Sequence, residues 1–190
     1  MFATDDPPGG IYGVVSGGIG IEGSSEWHPL RLGHILRTGD WFGYRPALTG
    51  RRRAMGYLAV EPSELVHVAL SALTMLKQES PALVPLLTAM AVRGDELGTV
   101  VACDLLIRNA RRRIAAVLLR VTGAHEAVQP TDPRGFLLTQ GMLGDMANAS
   151  RNYTNRTLAF LQQQGWIEMN HVHIRLLDVA ALAGFAYGED

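Results

Sequence analysis

Arg151, Asn152, Asn155 and Arg156 place two guanidinium and two amide groups within six consecutive residues. An arginine fork matches O6 and N7 of guanine, and an asparagine amide matches N6 and N7 of adenine. On a helix, positions i, i+1 and i+5 project towards one side. Arg151, Asn152 and Arg156 are therefore read as groups that can contact base edges on one groove floor. Leu158 and Leu161 supply the opposite, apolar face. Around them Thr139, Ser150, Tyr153 and Asn155, with His171 and His173 further along, have the side-chain types that contact phosphate oxygens.

Such a set works only if the backbone holds it. Thr139 is placed to cap a helix over Gln140–Ala147, and Asn148-Ala149-Ser150 reads as a tight turn because Asn tolerates the left-handed conformation. Arg151–Gln164 is the second helix, terminated by Gly165. Trp166–Glu168 and His171–Leu177 read as two strands joined by a turn around Met169-Asn170. Phe136-Leu137-Leu138 is a short strand ahead of the helix pair. Helix, short turn, helix and hairpin is the order of a winged helix-turn-helix.

Upstream, Asp104 is expected to cap a helix through Leu119. Leu105, Leu106, Ala110, Ile114, Val117 and Leu118 would form its buried side, with Arg108, Arg111, Arg112 and Arg113 on a solvated one. Thr122–Gly135 reads as a loop. Pro81 is expected in the first turn of a long helix running towards Ala102, with Leu83, Leu86, Leu87, Met90 and Leu97 on one face. That stripe suits packing on the molecule's own sheet or a dimer seam. Ala69–Gln78 is a shorter helical pattern.

The first 70 residues read as short strands: Ile11–Val15 and Ile19–Glu22 as a hairpin about Ser16-Gly17-Gly18, then Leu30–Leu36, Trp41-Phe42, Arg53–Val60 and Leu65–Val68. The fold class is therefore α+β. Strands at this spacing suggest a sandwich or barrel.

The composition narrows the function. Of 17 basic residues, 16 are Arg and only Lys77 is Lys, but 18 acidic residues bring the net charge to −1. The chain as a whole thus lacks a basic footprint. No uncharged apolar run, Val179–Tyr187 included, approaches the roughly 20 residues of a membrane span. Met1–Gly10 has no secretory pattern, so a cytoplasmic location is expected. Cys103 is the only cysteine, too few for a disulfide framework or an iron–sulfur cluster. His34 and His67 sit in strand patterns and are not expected to ligate haem, and no metal site or catalytic nucleophile–base pair is found. Gly18–Gly23 has the glycine spacing of a dinucleotide-binding turn, but no helix opening follows it.

Taken in order along the chain, these segments resemble the Crp/Fnr family of bacterial transcription regulators, which implies a partial, jelly-roll-like β-roll over 1–80, a dimerisation helix over 81–102 and a winged helix-turn-helix DNA-binding domain over 103–190. Leu138-Thr139-Gln140, Ser150-Arg151 and Arg156 match the family's helix-turn-helix. Ile11–Gly17 resembles its strand and Ser-Gly turn, and Gly39-Asp40-Trp41-Phe42-Gly43 with Arg53-Ala54 resembles its phosphate-binding cassette. The resemblance implies an effector pocket at Gly43, Tyr44, Arg53 and Ala54. Set against the family the front is missing here, so either the true start lies upstream of Met1 or the roll is incomplete and leaves an edge uncovered.

The departures bear on the effector. Tyr44 stands where the cyclic-AMP binders have a ribose-binding glutamate, and Ala54 where they have a serine. Their Thr-Ser pair on the long helix has no match in Arg93–Gly98. Tight cyclic-nucleotide binding is therefore not expected, and the roll either senses another small molecule, left unnamed, or has lost that ability. Asn152 stands where some members have glutamate, which points to adenine in the half-site. The expected partners are double-stranded DNA and a second copy of the chain, with RNA polymerase left open. The rival reading is a protein-interaction module whose winged helix packs on a partner chain.

Overall fold

The computed structural model describes residues 2–25, 28–124 and 135–188. The chain divides into two compact units, Met1–Val101 and Ala102–Asp190. The first contains β1 (Gly10–Ser16), β2 (Ile19–Ser25), β3 (His28–Leu36), β4 (Trp41–Phe42), α1 (Tyr44–Thr49), β5 (Gly56–Ala59), β6 (Glu64–Ala69), α2 (Leu70–Glu79) and most of α3 (Leu83–Leu106).

Two antiparallel sheets build the roll, in the orders β4-β1-β6 and β3-β2-β5. The expected hairpin is thus corrected: β1 and β2 are consecutive in sequence but belong to different sheets. Gly17 explains the crossing. At φ 88° it passes so close to the loop before β6 that a Cβ there would lie 2.4 Å from Ser63 Oγ, and the Gly18 N–H donates to that same hydroxyl. The chain is held against Pro62-Ser63 and moves to the other sheet instead of reversing. Gly18–Gly23 leads into a strand, which removes the geometry a dinucleotide turn needs.

Tyr12, Val14, Ile19, Leu36 and Phe42 fill the roll, joined by Phe2, Tyr57 and Leu97. A second cluster of Ile11, Leu73 and Leu87 takes up Leu83 and Met90. One face of α3 therefore packs on its own unit, whereas Val84, Leu86 and Val92 are exposed. Leu86 leaves the buried stripe to which its spacing assigned it. Pro81 lies in the turn before α3, where the Leu83 N–H donates to the Ser80 carbonyl, and not in the helix's first turn. Short α1, which the strand pattern did not suggest, is bracketed by Gly43 and Gly50 at φ 80° and 69°. Arg53 precedes β5 instead of belonging to it. Beside β5 lies the amino-terminal segment, with Phe2 and Tyr57 exchanging both backbone hydrogen bonds.

The second unit holds the last turn of α3, then α4 (Ala110–Val121), β7 (Phe136–Leu137), α5 (Gln140–Met146), α6 (Arg151–Gln163), β8 (Ile167–Asn170), β9 (His173–Leu176) and α7 (Val179–Tyr187). Most of the Thr122–Gly135 loop lies outside the described residues. Central α4 is buried on every side from Ile114 to Val121. Asp104 does not cap it. Asp104 belongs to α3, which continues past Ala102, and Asn109 is the cap, accepting from the Arg111 and Arg112 N–H groups. Leu105 and Leu106, placed by periodicity on the buried side, are 43% and 79% exposed because they precede the break between the helices. The uncharged Val179–Tyr187 run is a helix capped by Asp178, packing Leu182 and Ala186 inwards. Among the described residues, no helix is long and apolar enough to cross a membrane.

Asp104 has a different task. Its carboxylate accepts from Arg120 Nε at 2.7 Å and from the Tyr187 hydroxyl at 3.3 Å, with both charged side chains 2% exposed. The pair joins the last turn of α3 to α4 and α7. Burial, then the Asp104 charge and hydrogen bond, raises the Tyr187 phenol well above its ordinary 10.0. An unfolded phenol loses its proton at about 10 while the folded one keeps it, so this contribution is complete below pH 10 and is lost as pH rises further. Tyr187→Phe should flatten the alkaline decline of a urea-unfolding midpoint; an unchanged slope above pH 10 would remove Tyr187 as its source.

Candidate nucleic-acid interface

Side-chain caps set the helix pair. Thr139 Oγ1 accepts from the Met142 N–H at 3.1 Å and Ser150 Oγ from the Tyr153 N–H at 3.3 Å. Each hydroxyl thereby serves its helix as an acceptor and keeps its own proton to donate. Asn148 adopts φ 46° in the turn. Gly144 permits that turn, since a Cβ there would lie 2.8 Å from the Ala149 carbonyl oxygen.

The α6 helix has two distinct faces. Thr154, Thr157, Leu158 and Leu161 are buried, while Arg151, Asn152, Asn155 and Arg156 are exposed side by side. The buried threonines meet no polar deficit, because their hydroxyls donate to the Ser150 and Tyr153 carbonyls. Arg156 lies over the half-buried Tyr153 ring, 5.7 Å from its centroid, which restricts where the guanidinium can point. Asn155 accepts from Gln140 Nε2 at 3.0 Å and so braces the start of α5. Gln140 was not among the sequence-derived site residues, although it directly follows the cap.

The wing differs in detail from its sequence reading. The strands extend through Asn170 and restart at His173, so the turn is His171-Val172 and not Met169-Asn170. His171 takes φ 54° at the exposed tip and His173 is half-buried at the start of β9. Gln162 Oε1 accepts from the Met169 N–H, tying the wing to α6, and β7 pairs with β9 on the other side.

The arginines of α4 are not simply a solvated face. Arg113 donates to the carbonyls of Ala147 at 2.6 Å, Asn148 at 3.3 Å and Ile107 at 2.6 Å. One guanidinium thus secures the turn between α5 and α6. Arg112 reaches the Ala186 carbonyl, and Arg111 lies 4.5 Å over the Phe160 ring, which clusters with Trp166 and Phe185. Neither their number nor their spacing gave a signal of these backbone partners, which are far away in sequence.

In the first unit, Gly43 lies beside the Arg53 guanidinium, whereas Tyr44 is directed to α3 and Ala54 is exposed. A Cβ at Gly43 would lie 2.6 Å from the Gly10 carbonyl oxygen and 3.5 Å from Arg53 Nη1. Tyr44 projects towards α3: its hydroxyl occupies the space beside Gly94, 1.6 Å from where a Cβ would stand. Burial raises the Tyr44 phenol above its usual range, with Arg45 opposing and Asp40 adding to the shift. His67 stacks on Tyr12 and its Nε2 lies 3.0 Å from the Gly9 carbonyl.

The first unit is a two-sheet roll followed by a long helix, and the second carries a winged helix-turn-helix. Residues 112–185 match the Crp-like helix-turn-helix domain family. The cAMP-activated global transcriptional regulator CRP of Pasteurella multocida (strain Pm70) is 24% identical over 155 residues, 81% of this chain and 74% of that protein. FixK2 from Bradyrhizobium japonicum has a similar fold, with a TM-score of 0.83 at 19% identity over 100% of this chain and 93% of that one. A CRP-family transcriptional regulator from Thermus thermophilus gives 0.74 at 21%, covering 98% and 92%. The chain thus carries a Crp-like helix-turn-helix domain over residues 112–185, and along most of its length it is similar to proteins described as transcriptional regulators.

Proposed function

We propose that the chain is a sequence-specific DNA-binding regulator that acts as a homodimer. The observation that carries this is the exposed α6 face of Arg151, Asn152, Asn155 and Arg156, opposite a fully buried one. Arg151, Asn152 and Arg156 read bases. Thr139, Ser150, Tyr153, Asn155, His171 and His173 hold phosphates, with hydroxyl protons and wing groups available at the surface. The exposed apolar residues Val84, Pro85, Ala89 and Val92, which line an open groove on α3, supply the face for the second copy.

The roll binds an effector through Gly43, Tyr44, Arg53 and Ala54. It does not hold cyclic AMP tightly, because Tyr44 spends its hydroxyl against α3 and neither it nor Ala54 offers a carboxylate or hydroxyl to the nucleotide. Rounds of selection from random-sequence duplex DNA should enrich a two-fold symmetric site; a protein-interaction module would enrich none. Thermal stabilisation by micromolar cyclic AMP would overturn the reading of the pocket.

A further inference from the structure

We propose that the amino-terminal segment Phe2–Asp6 is a strap that closes the anion site on Arg53, so that an anionic effector binds by displacing it. The proposal rests on the reading of the roll as the effector unit. Arg53 is 2% exposed, and its Nε, Nη1 and Nη2 have no hydrogen-bond acceptor among the described residues. The rings of Phe2, Tyr12 and Tyr57 surround the guanidinium, 4.4, 5.6 and 5.8 Å from centroid to carbon. Aromatic faces stabilise its charge but leave its directed N–H donors unserved, whereas a phosphate or carboxylate serves both.

The three rings are held differently. Tyr12 and Tyr57 belong to β1 and β5, paired within the sheets. Phe2, the nearest ring, belongs to a segment attached by a short set of backbone bonds. Phe2 and Tyr57 exchange two, the Asp5 N–H donates to the Arg53 carbonyl, and the Arg53 N–H donates to the Asp6 carbonyl. Arg52 Nη1 adds a bond to the Asp5 carbonyl, and Asp5 sits at φ 73° in a turn closed by Ala3 and Asp6. The segment therefore docks on the stretch that carries the guanidinium, and its phenyl ring is part of the cover that keeps the N–H donors buried. An anion can reach those buried donors only when the covering ring gives way, which couples occupancy to strap release.

The test is calorimetric titration of the full chain with inorganic phosphate, comparing wild type, Phe2→Ala, Phe2→Leu and each with Arg53→Gln. Phe2→Leu keeps an apolar side chain in the core and removes only the π face, so it covers the case in which Phe2→Ala does not fold. Both Phe2 variants should bind phosphate at least tenfold more tightly than wild type, and Arg53→Gln should abolish binding in every background. Equal affinity in wild type and Phe2 variants, still dependent on Arg53, would overturn the strap and leave the anion site standing. Binding indifferent to Arg53 would overturn the anion site itself.

Discussion

Asp104→Ala is expected to destabilise the second unit by about 3–5 kcal/mol, the range for removing one partner of a buried ion pair. Arg120 would remain inside the protein with its charge and without the carboxylate that faces Nε at 2.7 Å. The Tyr187 hydroxyl would lose its acceptor as well. The magnitude comes from stranding a charge, not from the intrinsic worth of the pair. Accordingly, the double variant Asp104→Leu/Arg120→Met, which removes both charges and retains bulk, should recover most of the loss. Urea-unfolding midpoints followed by circular dichroism check both. A cost under about 1 kcal/mol for Asp104→Ala, the level of a solvent-exposed pair, would refute the buried-pair account.

The second large effect is on recognition. Arg156→Ala should cost about 1–3 kcal/mol at one base pair and relax preference there, as expected for loss of a bidentate contact to guanine. Arg156→Lys separates charge from geometry. It keeps the cation but loses the planar fork, so general affinity should survive while preference at that base pair still falls. The measurement is fluorescence anisotropy on the selected site and on duplexes substituted at each position, at fixed salt. Uniform weakening across all sequences would move Arg156 from the bases to the phosphates.

The helix pair was legible in the sequence because its signals are local. Thr139, Ser150, Asn148 and Gly165 act within three or four residues of themselves, so their types alone announce cap, turn and stop. The exposed recognition face followed from helical spacing for the same reason. What escaped depends on partners distant in the chain. Asp104 and Asn109 are both capping types near one helix start; only the buried Arg120 and Tyr187 decide that Asp104 forms an ion pair and Asn109 caps.

Arg113 looked like one of a solvated cluster because nothing nearby shows that the Ala147 and Asn148 carbonyls converge on it. The β1–β2 hairpin was a fair local reading of Ser16-Gly17-Gly18. It failed because Pro62 and Ser63, in the loop before β6, lie against Gly17 and direct the chain to the other sheet. Arg53 follows the same logic: placed by sequence at the start of a strand and in the cassette-like stretch, it is covered by Phe2, some fifty residues earlier. That contact connects the amino-terminal segment to the chemistry of the roll.

The central claim is that two copies of α6 enter successive major grooves of one duplex. Methylation interference at guanine N7 on the selected site tests it most directly, because N7 lies on the major-groove edge. The expected pattern is two symmetric clusters of interfering guanines centred about 34 Å, one helical turn, apart. Interference in a single cluster, or none at guanine N7, would contradict the claim.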